Sequence, residues 1–150
     1  MSGYPHHDSV HSVAQYALFI LSDEFGEGVD VEESNRFALP AGSTRVVTEV
    51  VGIEGHSVVL VSAVVALGVP VSAPMFEFVA RQGGKPGLGA LVAMDSGDPA
   101  TVNVFAVHHI YGNCLDRSEL LTSVANVASQ ADDLDEEFVA RFGGRRLADV

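Results

Sequence analysis

The chain has 150 residues, of which 47% are hydrophobic and only 7% aromatic, and it contains no tryptophan. This length and composition suit a single domain whose core is built mainly from valine, alanine and leucine. The formal net charge of −12 disfavours nucleic acid and anionic membranes as partners, because phosphate groups bind basic surfaces. No stretch approaches the roughly 20 apolar residues that a membrane-spanning helix needs.

The predicted elements begin with an amphipathic helix over residues 10–25. Its apolar side chains recur every three or four residues, Asp8 or Ser9 can cap its start, and Gly26 can end it. The acidic passage that follows, residues 27–36, is interpreted as a solvated connection or a weak edge strand. A short apolar strand around residues 37–39 comes next.

A β-hairpin is the firmest prediction in the first half of the chain. Residues 45–53 and 56–65 are rich in β-branched side chains and flank Glu54–Gly55, a two-residue turn signal. That turn would place Val51 opposite Val58 and Val50 opposite Val59. Both faces of the strand pair would then carry apolar groups, whereas a half-solvated sheet alternates more clearly.

A short helix near residues 74–84 follows a break at residues 68–74, with Ser72 as its cap and Gly83 and Gly84 at its end. Its apolar side chains cover most of the helix circumference. A helix of this kind must be buried on two sides, and we expect a second copy of the chain to cover one of them. The predicted homodimer interface consists of Met75, Phe76, Phe78 and Val79.

The last third contains two apolar strands, residues 88–95 and 101–111, and a long helix that begins at Asp116. Asp116 and Glu119 form a capping-box-like pair at its start, and Gly143 with Gly144 marks its end. The fold class is therefore α+β, an antiparallel sheet flanked by helices in the order α-β-β-β-α-β-β-α. We expect one domain over residues 1–150, with its core at about residues 10–144.

This order of elements, with the apolar hairpin and the closing helix segment LDRSELLTSVANVASQADDLDEEFVARFGG, resembles the type III secretion chaperone-like group that includes the YbjN domains and the CesT-type effector chaperones. The resemblance covers roughly residues 10–144. It implies a small acidic protein, usually a homodimer, that holds an extended segment of another polypeptide on apolar patches.

The leading hypothesis is therefore a non-enzymatic peptide-binding module without a cofactor or a resident metal. Its partners would be a polypeptide client and a second copy of the chain. The predicted client-binding patch lies on the hairpin and consists of Val47, Val51, Val59 and Val61. The lone thiol of Cys114 cannot form an internal disulfide, and no signal peptide is evident, so we expect a reducing, cytoplasmic location.

Two alternatives stay open: a small metal-binding or histidine–cysteine enzyme, and a structural subunit of a larger assembly. His108 and His109 should point to opposite faces of a strand, so they would need His56 nearby to approach a metal site. Cys114 is expected to fill the corner before the long helix, half-buried. His7 and His11 have ligand spacing, but they lie near a terminus. The acidic run of residues 132–137 is expected to form a solvated helix face.

Overall fold

The computed structural model describes residues 9–82 and 89–150. These residues form three α-helices and six strands, and short 3₁₀ turns occur at Gly26–Gly28, Gly112–Cys114 and Leu147–Asp149. In chain order the elements are α1 (Val10–Phe25), β1 (Asp30–Glu33), β2 (Arg36–Ala41), β3 (Thr44–Ile53), β4 (His56–Pro70), α2 (Ala73–Gln82), β5 (Ala90–Asp95), β6 (Thr101–Tyr111) and α3 (Arg117–Phe142). The predicted α+β class and order of elements are confirmed, and the acidic passage supplies the edge strand β1.

The six strands form one antiparallel sheet in the order β1-β2-β3-β4-β6-β5. The register of the β3–β4 hairpin is the predicted one, with Val51 paired to Val58 and Val50 paired to Val59. Glu54 and Gly55 both adopt positive φ, 49° and 82°, which is the geometry of a type I′ turn. This turn matches the right-handed twist of the two strands and fixes their register.

All three helices pack on one face of the sheet. One continuous hydrophobic cluster joins Val13, Ala17 and Ile20 of α1, Met75 and Val79 of α2, and the α3 residues Leu120, Val127 and Phe138 to the inward side chains of the strands. Phe78 of α2 contacts the rings of Phe138 and Phe142, at centroid distances of 5.8 and 5.4 Å. The result is a two-layer domain with a single helical layer.

The helix ends follow the predicted capping. The Ser9 hydroxyl accepts a hydrogen bond from the Ser12 amide and the Asp116 carboxylate accepts one from the Glu119 amide. Gly26 and Gly143 take positive φ at the ends of α1 and α3. Ser72 accepts a 3.3 Å hydrogen bond from the Met75 amide. The predicted roles of Asp8, Gly83, Gly84 and His7 fall outside the described residues.

The predicted break after residue 67 is wrong, because β4 continues to Pro70. Two irregularities in its pairing with β6, between Val64 and Ala66 and between Ala66 and Val69, absorb Gly68 without ending the strand. The Asn103 side chain accepts a 2.9 Å hydrogen bond from the Gly68 amide. The glycine therefore marks a bulge, which is its usual role inside a strand.

Candidate functional site

The strand register divides the sheet into a helix-covered face and an open face, on which no α-helix of the described residues packs. On the open face, β3 and β4 present alternate residues opposite those that enter the core. Strand β6 extends this face, because Phe105, Val107 and His109 pair with β4 residues of the same side. The open face is thus a continuous surface across the three central strands.

The middle of the open face carries an apolar stripe, which we call the belt. Its members are aliphatic or aromatic side chains of β3, β4 and β6, most of them partly exposed: Val47, Val51, Val58, Leu60, Val64, Phe105 and Val107. Val58 and Val107 are only 8% and 7% exposed although no helix covers them. The belt side chains therefore shield one another, which reduces the apolar area in contact with water.

A pocket of about 300 Å³ lies at the hairpin end of the belt. Its lining includes Ile53, His56, Val58, His109 and Tyr111. The His56 and Tyr111 rings meet edge to face at a centroid distance of 6.5 Å, a favourable aromatic geometry. The pocket combines apolar walls with hydrogen-bonding groups at the rim, as ligand-binding pockets commonly do.

A second pocket of about 220 Å³ lies further along the open face, and its lining includes the belt residues Val47, Val64 and Phe105. Leu147, from the segment that follows α3, lines the same pocket. Through this contact the chain beyond α3 reaches the face opposite the helices.

An ionic cluster borders this second pocket on the side of β1 and β2. Arg36 pairs with Glu32 at 2.7 Å and with Glu49 at 2.5 Å, and Arg45 pairs with Glu32 at 2.8 Å and with Asp30 at 3.0 Å. The hydrogen bond from Arg36, with the nearby charge of Arg45, lowers the pKa of Glu32 despite partial desolvation. Period-two alternation of charge in adjoining strands is the sequence signal for such a cluster.

The four residues predicted to bind a client lie on both faces of the sheet. Val47 and Val51 belong to the belt and are partly exposed. Val59 and Val61 are fully buried under the helices. Leu60 was not predicted because the sequence does not show which side of β4 the helices cover. Phe105 was not predicted because only the pairing of β6 with β4 shows that the odd-numbered residues of β6 extend the belt.

The four residues predicted at a homodimer interface are also distributed between core and surface. Met75 is fully buried and Val79 is 9% exposed, both inside the protomer core. Phe78 is partly buried against α3. Phe76 is the outward-facing member of the set and is 41% exposed.

The histidines and the cysteine do not assemble into one site. His56 and His109 line the same pocket, whereas His108 pairs with the inward-facing Val61. Cys114 is exposed rather than half-buried, because it lies in a surface 3₁₀ turn, and its thiol contacts the Asn113 amide oxygen at 3.5 Å. Within residues 9–82 and 89–150, no group of three or more His, Cys, Asp or Glu side chains is suited to a metal ion.

The acidic run on α3 is only partly the solvated face that was expected. Asp135 is 2% exposed and accepts a short hydrogen bond from the Ser43 hydroxyl. The same hydroxyl lies 2.6 Å from Asp132, so the two carboxylates share its single hydrogen, and Asp132 also accepts a 2.8 Å hydrogen bond from the Ser43 amide; these contacts lower the pKa of Asp132. The β2–β3 turn is thereby tied to α3, and Asp135 is buried because it serves this contact.

These observations define an α+β domain with one sheet face covered by helices and the other available for contact along an apolar belt. Over residues 12–150 the sequence matches the family model described as TY-Chap1, the T3SS (YopN, CesT) and YbjN peptide-binding chaperone 1. The chain belongs to this family of peptide-binding chaperones, which confirms the resemblance seen in the sequence. No curated protein matches it. In the part of the chain that is described, no helix has the length and apolarity to cross a membrane.

Proposed function

We propose that this chain holds an extended segment of another polypeptide against the belt, as a cytoplasmic binding protein rather than an enzyme. Membership in a family of peptide-binding chaperones supports a polypeptide partner. The observation that carries the choice of surface is the helix-free face with its belt between two pockets. The lone, exposed thiol of Cys114 fits a reducing compartment.

The dimensions of the belt suit a short extended segment. Val58 lies in the first pocket and Val64 in the second, and a strand rises about 3.3 Å per residue, so the two are about 20 Å apart. An extended client of about six residues covers that distance. Burial of apolar surface then contributes about 25 cal/mol per Å², from which the cost of ordering the client is subtracted.

Binding by variant proteins tests this assignment. The probe is a fluorescently labelled, reduced and alkylated globular protein that stays unfolded in buffer. Leu60→Asp places a charge in the middle of the belt, and Phe19→Asp is the matched control because Phe19 is 64% exposed on α1, in the helix layer. We expect the dissociation constant of Leu60→Asp to rise at least tenfold, a loss of about 1.4 kcal/mol, while that of Phe19→Asp stays near wild type.

The result that contradicts the proposal is equally specific. If Leu60→Asp binds the unfolded probe as tightly as wild type, the belt is not the binding surface. Native cells supply a second test, because a client-binding protein should co-purify with an extended or unfolded polypeptide. Co-purification with one folded complex of fixed stoichiometry would favour the alternative of a structural subunit.

The homodimer is a further part of the proposal, and its support is narrower. Phe76 is the exposed aromatic residue of α2, and burial of such a side chain between two copies is favourable. Multi-angle light scattering should show a dimer for wild type and for Phe19→Asp, the same substitution at an exposed phenylalanine of α1, outside the proposed interface. Phe76→Asp should give a monomer, and a dimer that survives this change would exclude the α2 interface.

The metal or histidine–cysteine enzyme receives no comparable support. His56 and His109 share a pocket, but two imidazoles fall short of the three or four ligands of a typical zinc site. Elemental analysis of untagged protein after dialysis separates the two functions. Stoichiometric metal would favour the metal protein over the peptide-binding module.

A further inference from the structure

The chain crosses from the helix layer to the open face after α3. Gly143 and Gly144 both adopt positive φ, 87° and 86°, and this pair turns the backbone away from the helix axis. A Cβ atom on Gly144 would lie only 2.7 Å from the Leu67 carbonyl oxygen. Glycine is therefore required there for both its backbone conformation and its close contact. We call residues 145–150 the strap.

The strap takes a free position on the edge of β4. The ladder between β3 and β4 extends only to the pair Val46 and Ala63, whereas β4 continues to Pro70. Arg145 pairs with Leu67 beyond this point through two backbone hydrogen bonds of 2.9 and 2.8 Å. A strand edge with unpaired amide and carbonyl groups is a ready template for another extended segment.

Two residues further on, Leu147 enters the pocket at this end of the belt. It shares the lining with Val47, Val64 and Phe105. The strap thus combines pairing at a free strand edge with insertion of an aliphatic side chain among residues of the belt, the surface that we assign to client binding. It holds these positions as a client segment would.

Few interactions hold the strap in place. Besides the Leu67 pairing and the partly buried Leu147, the strap is held by a weaker charge attraction between Arg146 and the α3 carboxylates Asp135 and Glu136. The pair between Arg146 and Asp149 at 2.9 Å is internal to the strap and does not fix it to the sheet. Segments with few buried contacts open locally at a much lower free energy than the core. A competing segment can therefore gain access to this site without unfolding of the domain.

We propose that the strap is an internal occupant of the client-binding surface, which a client displaces. This inference rests on the proposed function, and it specifies the client at this end of the belt. The bound segment would pair its backbone with Leu67 and place an aliphatic side chain, two residues later, in the Leu147 pocket. The strap then sets a threshold for binding, because a client must bind more tightly than the internal competitor.

The test uses the full chain and a probe taken from the strap itself. The probe is a fluorescein-labelled synthetic peptide with the sequence of residues 143–150, GGRRLADV, and fluorescence anisotropy measures its binding. Leu147→Asp removes the aliphatic anchor of the internal strap, and Ala148→Asp is the control because Ala148 is the exposed neighbour in the same turn. We expect Leu147→Asp to bind the peptide at least tenfold more tightly than wild type or Ala148→Asp.

A second pair of variants tests whether displacement of the strap, rather than the new charge at residue 147, changes peptide binding. Gly144→Ala disturbs the turn by its contact with Leu67, whereas Gly97→Ala has the same positive φ with open space around the new Cβ. Gly144→Ala should also bind the peptide more tightly, and hydrogen exchange at the Leu67 amide should accelerate at least tenfold. Equal peptide binding by wild type, Leu147→Asp and Gly144→Ala would overturn the inference.

The outcome also separates this inference from the proposed function. Tighter peptide binding by the strap variants, with no effect of Leu60→Asp on the unfolded probe, would support the strap and reject the belt as the wider client surface. The opposite pattern, in which Leu60→Asp weakens the unfolded probe and the strap variants leave peptide binding unchanged, would support the belt and reject the strap.

Discussion

The two faces of the sheet are built from the same strands and from similar residues, yet they differ in what covers them. In β3 and β4 the inward valines Val46, Val50, Val59 and Val61 are at most 3% exposed. The neighbouring belt residues Val47 and Val51 on the opposite face remain partly exposed. Composition alone does not distinguish these valines. Their roles follow from the register and from the placement of three helices on one side.

The open face carries features that limit unspecific association. An ionic cluster of two arginines and three carboxylates borders one pocket, and His56, His109 and Tyr111 surround the other. A polar rim around an apolar centre is typical of surfaces that bind a partner reversibly. On the helix-covered face the apolar side chains of the strands lie in the core, where the helices exclude water.

The largest expected effect compares one phenylalanine from each face. Phe37 lies in β2 on the helix face and is 1% exposed, so Phe37→Ala should lower the free energy of unfolding by about 3–5 kcal/mol. Phe105 lies in β6 on the open face and is partly exposed, so Phe105→Ala should cost about 1 kcal/mol. Urea denaturation measures both. Equal losses would show that the open face is as well covered in solution as the core.

A medium effect is expected where the β2–β3 turn meets the helix layer. Ser43→Ala removes the hydroxyl that donates to the buried Asp135, and an unsatisfied buried carboxylate costs about 1–3 kcal/mol. Ser34→Ala is the control, because Ser34 is exposed in the turn between β1 and β2. It should change the stability by less than about 0.5 kcal/mol. A Ser43→Ala protein as stable as the control would show that Asp135 is satisfied without Ser43.

The sequence predicted the elements whose determinants are local. The bounds of α1 and β6 and the register of the β3–β4 hairpin follow from apolar periodicity, a capping serine and the Glu54–Gly55 turn. The end of β4 was misjudged because Gly68 usually signals a break. The Gly68 amide instead donates a hydrogen bond to the side chain of Asn103, 35 residues later in the chain. No local sequence pattern reveals this contact.

The sequence predicted only part of the candidate site, because the rest of it also depends on contacts between residues far apart in the chain. Alternation along β3 and β4 separates Val47 and Val51 from Val59 and Val61, but a single sequence does not show which set the helices cover. That choice depends on the packing of α1 and α3. The contribution of Leu147 depends on a crossing of the chain to the opposite face, and the residues around it have no periodicity that would indicate it.

The smallest expected effect concerns the ionic cluster of the open face and appears only as a function of pH. The hydrogen bond from Arg36, with the charge of Arg45, lowers the folded-state pKa of Glu32 below its ordinary value of 4.5. The stabilisation by these pairs is therefore fully present above the ordinary pKa of 4.5. It is lost as the pH falls through the lowered folded-state pKa of Glu32. Because the pairs are partly exposed, it amounts to at most about 1 kcal/mol.

Glu32→Gln removes this contribution, and Glu33→Gln, an exposed neighbour in the same strand, is the control. Urea denaturation at pH 7 should find Glu32→Gln slightly less stable than wild type, and the difference should shrink as the pH is lowered toward 3. The control should show no such convergence. A difference that persists unchanged at low pH would mean that the Glu32 side chain acts through packing, and the ionic cluster would then contribute shape rather than charge to the rim of the belt.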